Sequence, residues 1–122
     1  MILAFLEDGT LAIHGTIDEV RREYDGIDVE SGIVRFYDAT GTYLAPIFTT
    51  PNRIQRHFLL FETIISGVYD LQPAPDANED PLWVCLIETS TLGPNPYFAS
   101  LAEVKTHFAH CFPKSKDEEQ AR

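Results

Sequence analysis

The nine residues TIDEVRREY, Thr16 to Tyr24, decide the reading of this chain, because they carry a helix signal in a sequence otherwise patterned for strands. Thr16 and Glu19 form a T-x-x-E capping box, in which the hydroxyl accepts from the backbone N–H three residues on and the carboxylate reaches back toward the N–H of the cap. Ile17, Val20 and Tyr24 then recur at helical spacing and lay down one apolar stripe. Asp18 and Glu19 stand in the first turn and Arg21 and Arg22 later, as the helix dipole favours. The same signature returns in SLAEVKTHF, Ser100 to Phe108, with Ser100 and Glu103 as the box and Leu101, Val104 and Phe108 as the stripe. Two short amphipathic helices are therefore expected, over about 16–24 and 100–111.

The likeness extends upstream of both helices. MILAFLEDGTL and LWVCLIETSTL each read as six apolar residues, a glutamate, two turn-like residues and Thr-Leu. A strand, a turn and a capped helix are thus expected near both ends. A duplication would produce this, but so would shared punctuation, since any strand–turn–helix unit draws on the same few residues. Nine positions constrain so little that convergence suffices.

The rest reads as β structure. Met1–Glu7 and Thr10–His14 flank Asp8-Gly9, a strong hairpin signal that predicts a type I′ turn. SGIVRFYD and TYLAPIFT flank a short loop in which Gly41 suits a left-handed position and Asp38 opens the turn. HFLLFETII and GVYDLQP form either one long strand bent at Ser66-Gly67 or two strands. APDANED is a polar connector. PLWVCLIETS, the most apolar run, reads as a central strand covered on both faces. The expected fold is a single α+β domain over residues 1–113, a mainly antiparallel sheet of about five to seven strands with the two helices packed on one face. The polar tail 114–122, KSKDEEQAR, is expected to be mobile.

At 122 residues the chain is long enough to bury a core without disulfides or metals, and its 44% hydrophobic content is that of a folded protein. Nine Lys and Arg face 19 Asp and Glu, a formal charge of −10. Such a field repels phosphate backbones and anionic lipid, so neither nucleic acid nor membrane is expected as a partner, and it speeds association with cationic surfaces. Cys85 and Cys111 lie far apart, which suits a reducing compartment. The N-terminus lacks a basic leader, and FLLFETIISGVY is broken by Glu62 well short of the roughly 20 residues of a membrane span. A soluble, cytoplasmic protein is the expectation.

Charge is unevenly distributed. Nine acids lie between Glu7 and Asp38, whereas residues 39–61 contain none and carry Arg53 and Arg56 beside His57. YDGIDVESG, read as an exposed loop, joins Tyr24 to Asp25, Asp28 and Glu30, the mixture expected of a surface that seizes a cationic partner. In LGPNPYF, two prolines stiffen a loop that offers Tyr97 as a further contact residue. His107, His110 and Cys111 are metal-ligand types, but a structural zinc site normally takes four protein ligands and no second cluster is present, so neither metal nor cofactor is expected. No nucleophile elbow or phosphate-binding glycine loop occurs. Cys111 at a helix C-terminus faces negative dipole, which opposes a thiolate.

These features favour a non-enzymatic, small acidic binding protein that captures a basic protein, as an inhibitor of the immunity or antitoxin type or a secretion chaperone would. Two alternatives stand beside it. One is a small enzyme or ligand-binding domain with a site between sheet and helices, drawing on His107, His110 and Arg56. The other is a homodimeric or larger structural assembly in which a strand edge such as SGIVRFYD pairs with a second copy.

Overall fold

The computed structural model describes residues 1–57 and 61–113, with backbone alone at 57 and 61. Strands β1 (Ile2–Leu6) and β2 (Thr10–His14) lead into helices α1 (Ile17–Glu23) and α2 (Gly26–Ser31). Strands β3 (Val34–Asp38), β4 (Tyr43–Thr50), β5 (Arg53–His57), β6 (Phe61–Ile65) and β7 (Val68–Pro73) follow. Helix α3 (Leu82–Glu88), the short strand β8 (Thr91–Leu92), helix α4 (Leu101–His107) and a 3₁₀ turn (Ala109–Cys111) complete the described elements. Among the described residues six strands form one sheet in the order β7-β4-β3-β1-β2-β8, while β5 and β6 pair only with each other. Every pairing is antiparallel except β2 with β8. The α+β class, the single domain and the mainly antiparallel sheet are as expected.

Alternation along β1 organises the core. Leu3 and Phe5 point to one face, where they join Leu11, Ile13 and Tyr37 under Leu82, Cys85, Leu86, Val104 and Phe108 of the C-terminal helices. Ala4 points to the other, among Val34, Phe36, Leu44 and Tyr69, under Val20, Tyr24 and Val29 of the N-terminal helices. Successive side chains of a strand leave opposite faces, so a strand buried throughout needs cover on both. The two capped helices therefore do not share a face: α1 and α4 cover opposite sides of the sheet. The central strand is β1, flanked by β2 and β3.

PLWVCLIETS is consequently not a central strand. Residues 82–88 form α3, burying Leu82, Cys85 and Leu86 at i, i+3 and i+4 while Ile87 stays 59% exposed. A short, wholly apolar run fits a period of 2 or of 3.6 equally well, and here the exposed side chain identifies the helix. The upstream halves of the two similar segments thus adopt different structures, β1 in one and α3 in the other. Their Thr-Leu pairs do meet, with Thr10 opposite Thr91 and Leu11 opposite Leu92 in the parallel ladder.

YDGIDVESG is also not a loop. Asp25 caps α2 by accepting from the Asp28 N–H at 2.9 Å, and Gly32 ends the helix at φ 81°, in the left-handed region that glycine favours. Both predicted capping boxes form, with Thr16 Oγ1 accepting from Glu19 N–H at 3.3 Å and Ser100 Oγ from Glu103 N–H at 3.2 Å. In each, the glutamate reaches one residue further back than expected, to the N–H of Gly15 or Ala99.

The Asp8-Gly9 hairpin forms without a type I′ turn. The Gly9 N–H donates to the Leu6 carbonyl at 3.1 Å, so Glu7 and Asp8 are the central residues and Gly9, at φ 89°, closes a three-residue loop. The Asp38 loop follows its prediction: Asp38 Oδ1 accepts from the Thr40 and Thr42 N–H groups at 2.9 and 3.0 Å. SGIVRFYD supplies β3, an interior strand between β1 and β4, so it has no free edge for pairing with a second copy. Of the stretches HFLLFETII and GVYDLQP, Phe61–Ile65 forms β6 and Val68–Pro73 forms β7, separate strands of different sheets, while residues 58–60 lie outside the described residues. The tail 114–122 lies outside the described residues. Among the described residues no helix is long and apolar enough to cross a membrane.

Candidate functional site

Helices α1 and α2 follow each other directly on one face of the sheet and carry the densest carboxylates of the described chain: Asp18, Glu19, Glu23, Asp25, Asp28 and Glu30. The apolar stripe fixes their outward direction. Val20 and Val29 are buried against the sheet, so charged neighbours on the same helices face solvent. Two cations share this layer, and one is already occupied: Arg21 Nε donates to the Tyr69 carbonyl at 2.8 Å, and its guanidinium lies 3.4 Å from Asp18 and 3.6 Å from Asp70.

The four residues expected on an exposed loop here play different parts. Asp25, Asp28 and Glu30 come together on α2, where Asp25 is engaged as the cap and Glu30 accepts from Asn52 Nδ2. Tyr24 is a core residue, 5% exposed, and offers no contact surface. Its ring meets Phe36 edge-on at 5.7 Å, its carbonyl accepts from the Tyr69 hydroxyl at 2.7 Å, and its own hydroxyl lies 3.0 Å from His14 Nε2. Burial pushes the Tyr24 phenol up to about 12 and holds the His14 imidazole below its ordinary value. The last residue of the helical stripe therefore faces the core, as the stripe itself implied.

Tyr97, 47% exposed, stands near the opposite end of α1. Its hydroxyl lies over Gly15, where a Cβ would come within 2.7 Å of it. With Phe98, Glu103 and His107 it lines an open groove of about 510 Å³ beside α4. Asn95 shapes this loop by accepting from the Tyr97 and Phe98 N–H groups at 2.8 and 2.7 Å.

His107, His110 and Cys111 do not gather into a ligand group. His107 packs edge-on against Phe98 at 5.3 Å and Phe108 at 4.8 Å, His110 lies 6.4 Å from Phe108, and the Cys111 sulfur contacts the Thr40 carbonyl at 3.9 Å. Burial pushes the Cys111 thiol up. Among the described residues no three His, Cys, Asp or Glu side chains gather closely enough to hold a metal ion. Arg56 sits on the separate β5–β6 hairpin, 3.2 Å from Glu62, remote in the topology from the histidines.

Two constellations lie outside the residues expected from the sequence. On the α3 side of the sheet, Arg35 pairs with Asp80 at 3.0 Å and Glu88 at 3.9 Å, beside Tyr37, whose hydroxyl donates to the Asp80 carbonyl and accepts from the Cys85 thiol at 3.4 Å. Burial raises both Cys85 and Tyr37, which favours their protonated forms and opposes a thiolate at Cys85. The other is the clamp at the base of the β5–β6 hairpin. Asn52 Nδ2 donates to the Gly26 carbonyl at 2.8 Å and to Glu30, while its Oδ1 accepts from the Gly67 N–H at 2.5 Å. Gly67 packs so tightly that a Cβ would lie 2.0 Å from the Thr50 carbonyl oxygen, which leaves room for no other residue. An alternating Arg35 inside an apolar strand hinted at the first constellation; nothing in the sequence marked Asn52.

No family model, no curated protein and no solved structure matches this chain. The geometry alone therefore carries the functional reading. It offers a solvent-facing carboxylate layer, a rigid aromatic at one end of it, and buried titratable groups held in their neutral forms.

Proposed function

We propose that this protein is a small acidic binding module that captures a basic protein partner through the α1–α2 layer, in the manner of an immunity- or antitoxin-type inhibitor. The observation that supports this reading is the excess of outward carboxylates on two adjacent helices where Arg21 is already tied down by Asp18, Asp70 and the Tyr69 carbonyl. Carboxylates left unbalanced on a rigid surface create a field that steers a cationic partner and accelerates encounter. Tyr97 supplies a half-exposed aromatic anchor for the same partner, cheap in side-chain entropy. A reducing, cytoplasmic setting belongs to this proposal, since Cys85 and Cys111 are free thiols.

Retention of the partner from a lysate of the native organism, washed first at low and then at high salt, identifies the target. Binding kinetics then test the surface. Replacing Glu23 and Asp28 with lysine spares the cap residue Asp25 and is expected to slow association several-fold at low salt, with the difference shrinking as salt rises. Association rates that ignore both substitutions at every salt concentration would remove α1–α2 as the capture surface.

A further inference from the structure

Among the described residues the β5–β6 hairpin is the one strand pair outside the main sheet, and it carries two large apolar side chains in solvent. Ile54 and Ile64 are directly opposed across the ladder and are 62% and 61% exposed. Arg56 and Glu62 are the next opposed pair on the same face, two residues along each strand, and their side chains lie 3.2 Å apart. Among the described residues no further strand pairs with either outer edge. A two-stranded hairpin is marginal by itself in water, and an exposed isoleucine pair on an unpaired hairpin is a surface that gains from cover.

The root of this arm is held firmly. Asn52 ties residues 26, 30 and 67 together, and the glycines at 26 and 67 permit backbone contact that any side chain would obstruct. The arm is therefore presented by a fixed base, which lowers the entropy lost when its face is docked.

We infer that the Ile54–Ile64 face of the arm is a self-association surface and that its occupant is the same face of a second copy of this chain. The charge pattern selects that occupant. A chain of formal charge −10 repels its copies, except where acids are sparse, and residues 39–61 contain no acid at all. Among the described residues of the arm face one arginine stands beside one glutamate, a pattern that complements itself under a two-fold axis. The axis sets isoleucine pair on isoleucine pair and each Arg56 toward Glu62 of the second copy, as an isologous interface requires. A basic protein would instead meet Arg53 and Arg56, and nucleic acid would meet the negative field of the whole molecule. This surface is distinct from α1–α2, so either reading can fail without the other.

Sedimentation equilibrium of the full chain from micromolar concentrations to about 1 mM reads the outcome directly. A reversible monomer–dimer equilibrium is expected. Ile54→Lys and Ile64→Lys should each weaken it at least tenfold while leaving the far-ultraviolet circular dichroism unchanged. Arg56→Glu should weaken it as well, and so should Glu62→Arg, but mixing these two single variants should restore association, because the charges then complement each other across the copies while the Arg56–Glu62 pair within each arm stays broken. A monomer at every concentration overturns the proposal. So does a dimer that none of these substitutions disturbs, because its interface then lies elsewhere.

Discussion

His14 and Tyr24 show how a single contact fixes the chemistry available to a residue. The imidazole and the phenol meet 3.0 Å apart over the sheet, and burial favours the neutral form of each. For His14, desolvation outweighs Glu23 and Glu19, which pull the other way, so its pKa in the folded protein lies below the unfolded value of 6.5. The unfolded chain then binds the proton more readily. Stability contributed by this site is complete above the unfolded pKa and declines as pH falls through 6.5 and lower. Urea midpoints measured between about pH 7.5 and about pH 5 should drop, and His14→Gln should flatten part of that drop. Identical pH dependence in the two proteins would assign the loss to other groups. At this scale the sequence announced Tyr24 as the last member of a helical stripe, and that stripe, rather than the neighbouring acids, decided where its ring went.

The helices divide according to how strongly their ends are marked. Those beginning after Thr16 and Ser100 carry capping boxes, and both form where predicted, because a cap is a local hydrogen-bond arrangement that needs no distant partner. Helix α2 carries a weaker version, an aspartate cap and a glycine terminator around only six residues, and its acids disguise it as a loop. Helix α3 has no side-chain cap at all. Its helical state is testable by comparing adjacent residues. Leu86→Ala removes a fully buried side chain and should cost about 2–5 kcal/mol, whereas Ile87→Lys on the exposed side should stay within about 0.5 kcal/mol. Chemical denaturation of the two variants checks this, and equal, large losses would restore the segment to a strand buried on both faces.

For the molecule as a whole, the dominant quantities are the charge of −10 and the three-layer arrangement. Self-repulsion among carboxylates opposes the compact state and is screened by salt, with the Debye length shrinking from about 30 Å at 0.01 M to about 10 Å at 0.1 M. The thermal midpoint is therefore expected to rise by a few degrees as sodium chloride is added over this range, and scanning calorimetry measures it. A midpoint that stays flat or falls would show that ion pairs such as Arg35 with Asp80 and Glu88 outweigh the repulsion. The acidic layer was legible as an uneven count of charges along the chain. The arm was not, although its isoleucines and arginines were in plain view, because exposure depends on what the sheet leaves uncovered.

What the sequence determined by itself is everything governed by neighbours along the chain. It specified the two capping boxes, the Asp38–Gly41 turn, the class of the fold, and a net charge that repels polyanions. Which face each helix covers, which strand lies at the centre, and whether LWVCLI is strand or helix were decided only in three dimensions. A continuous apolar run satisfies both periodicities, and the choice falls to the surface it must bury: β1 occupied the middle of the sheet, so the later run became the helix that covers it.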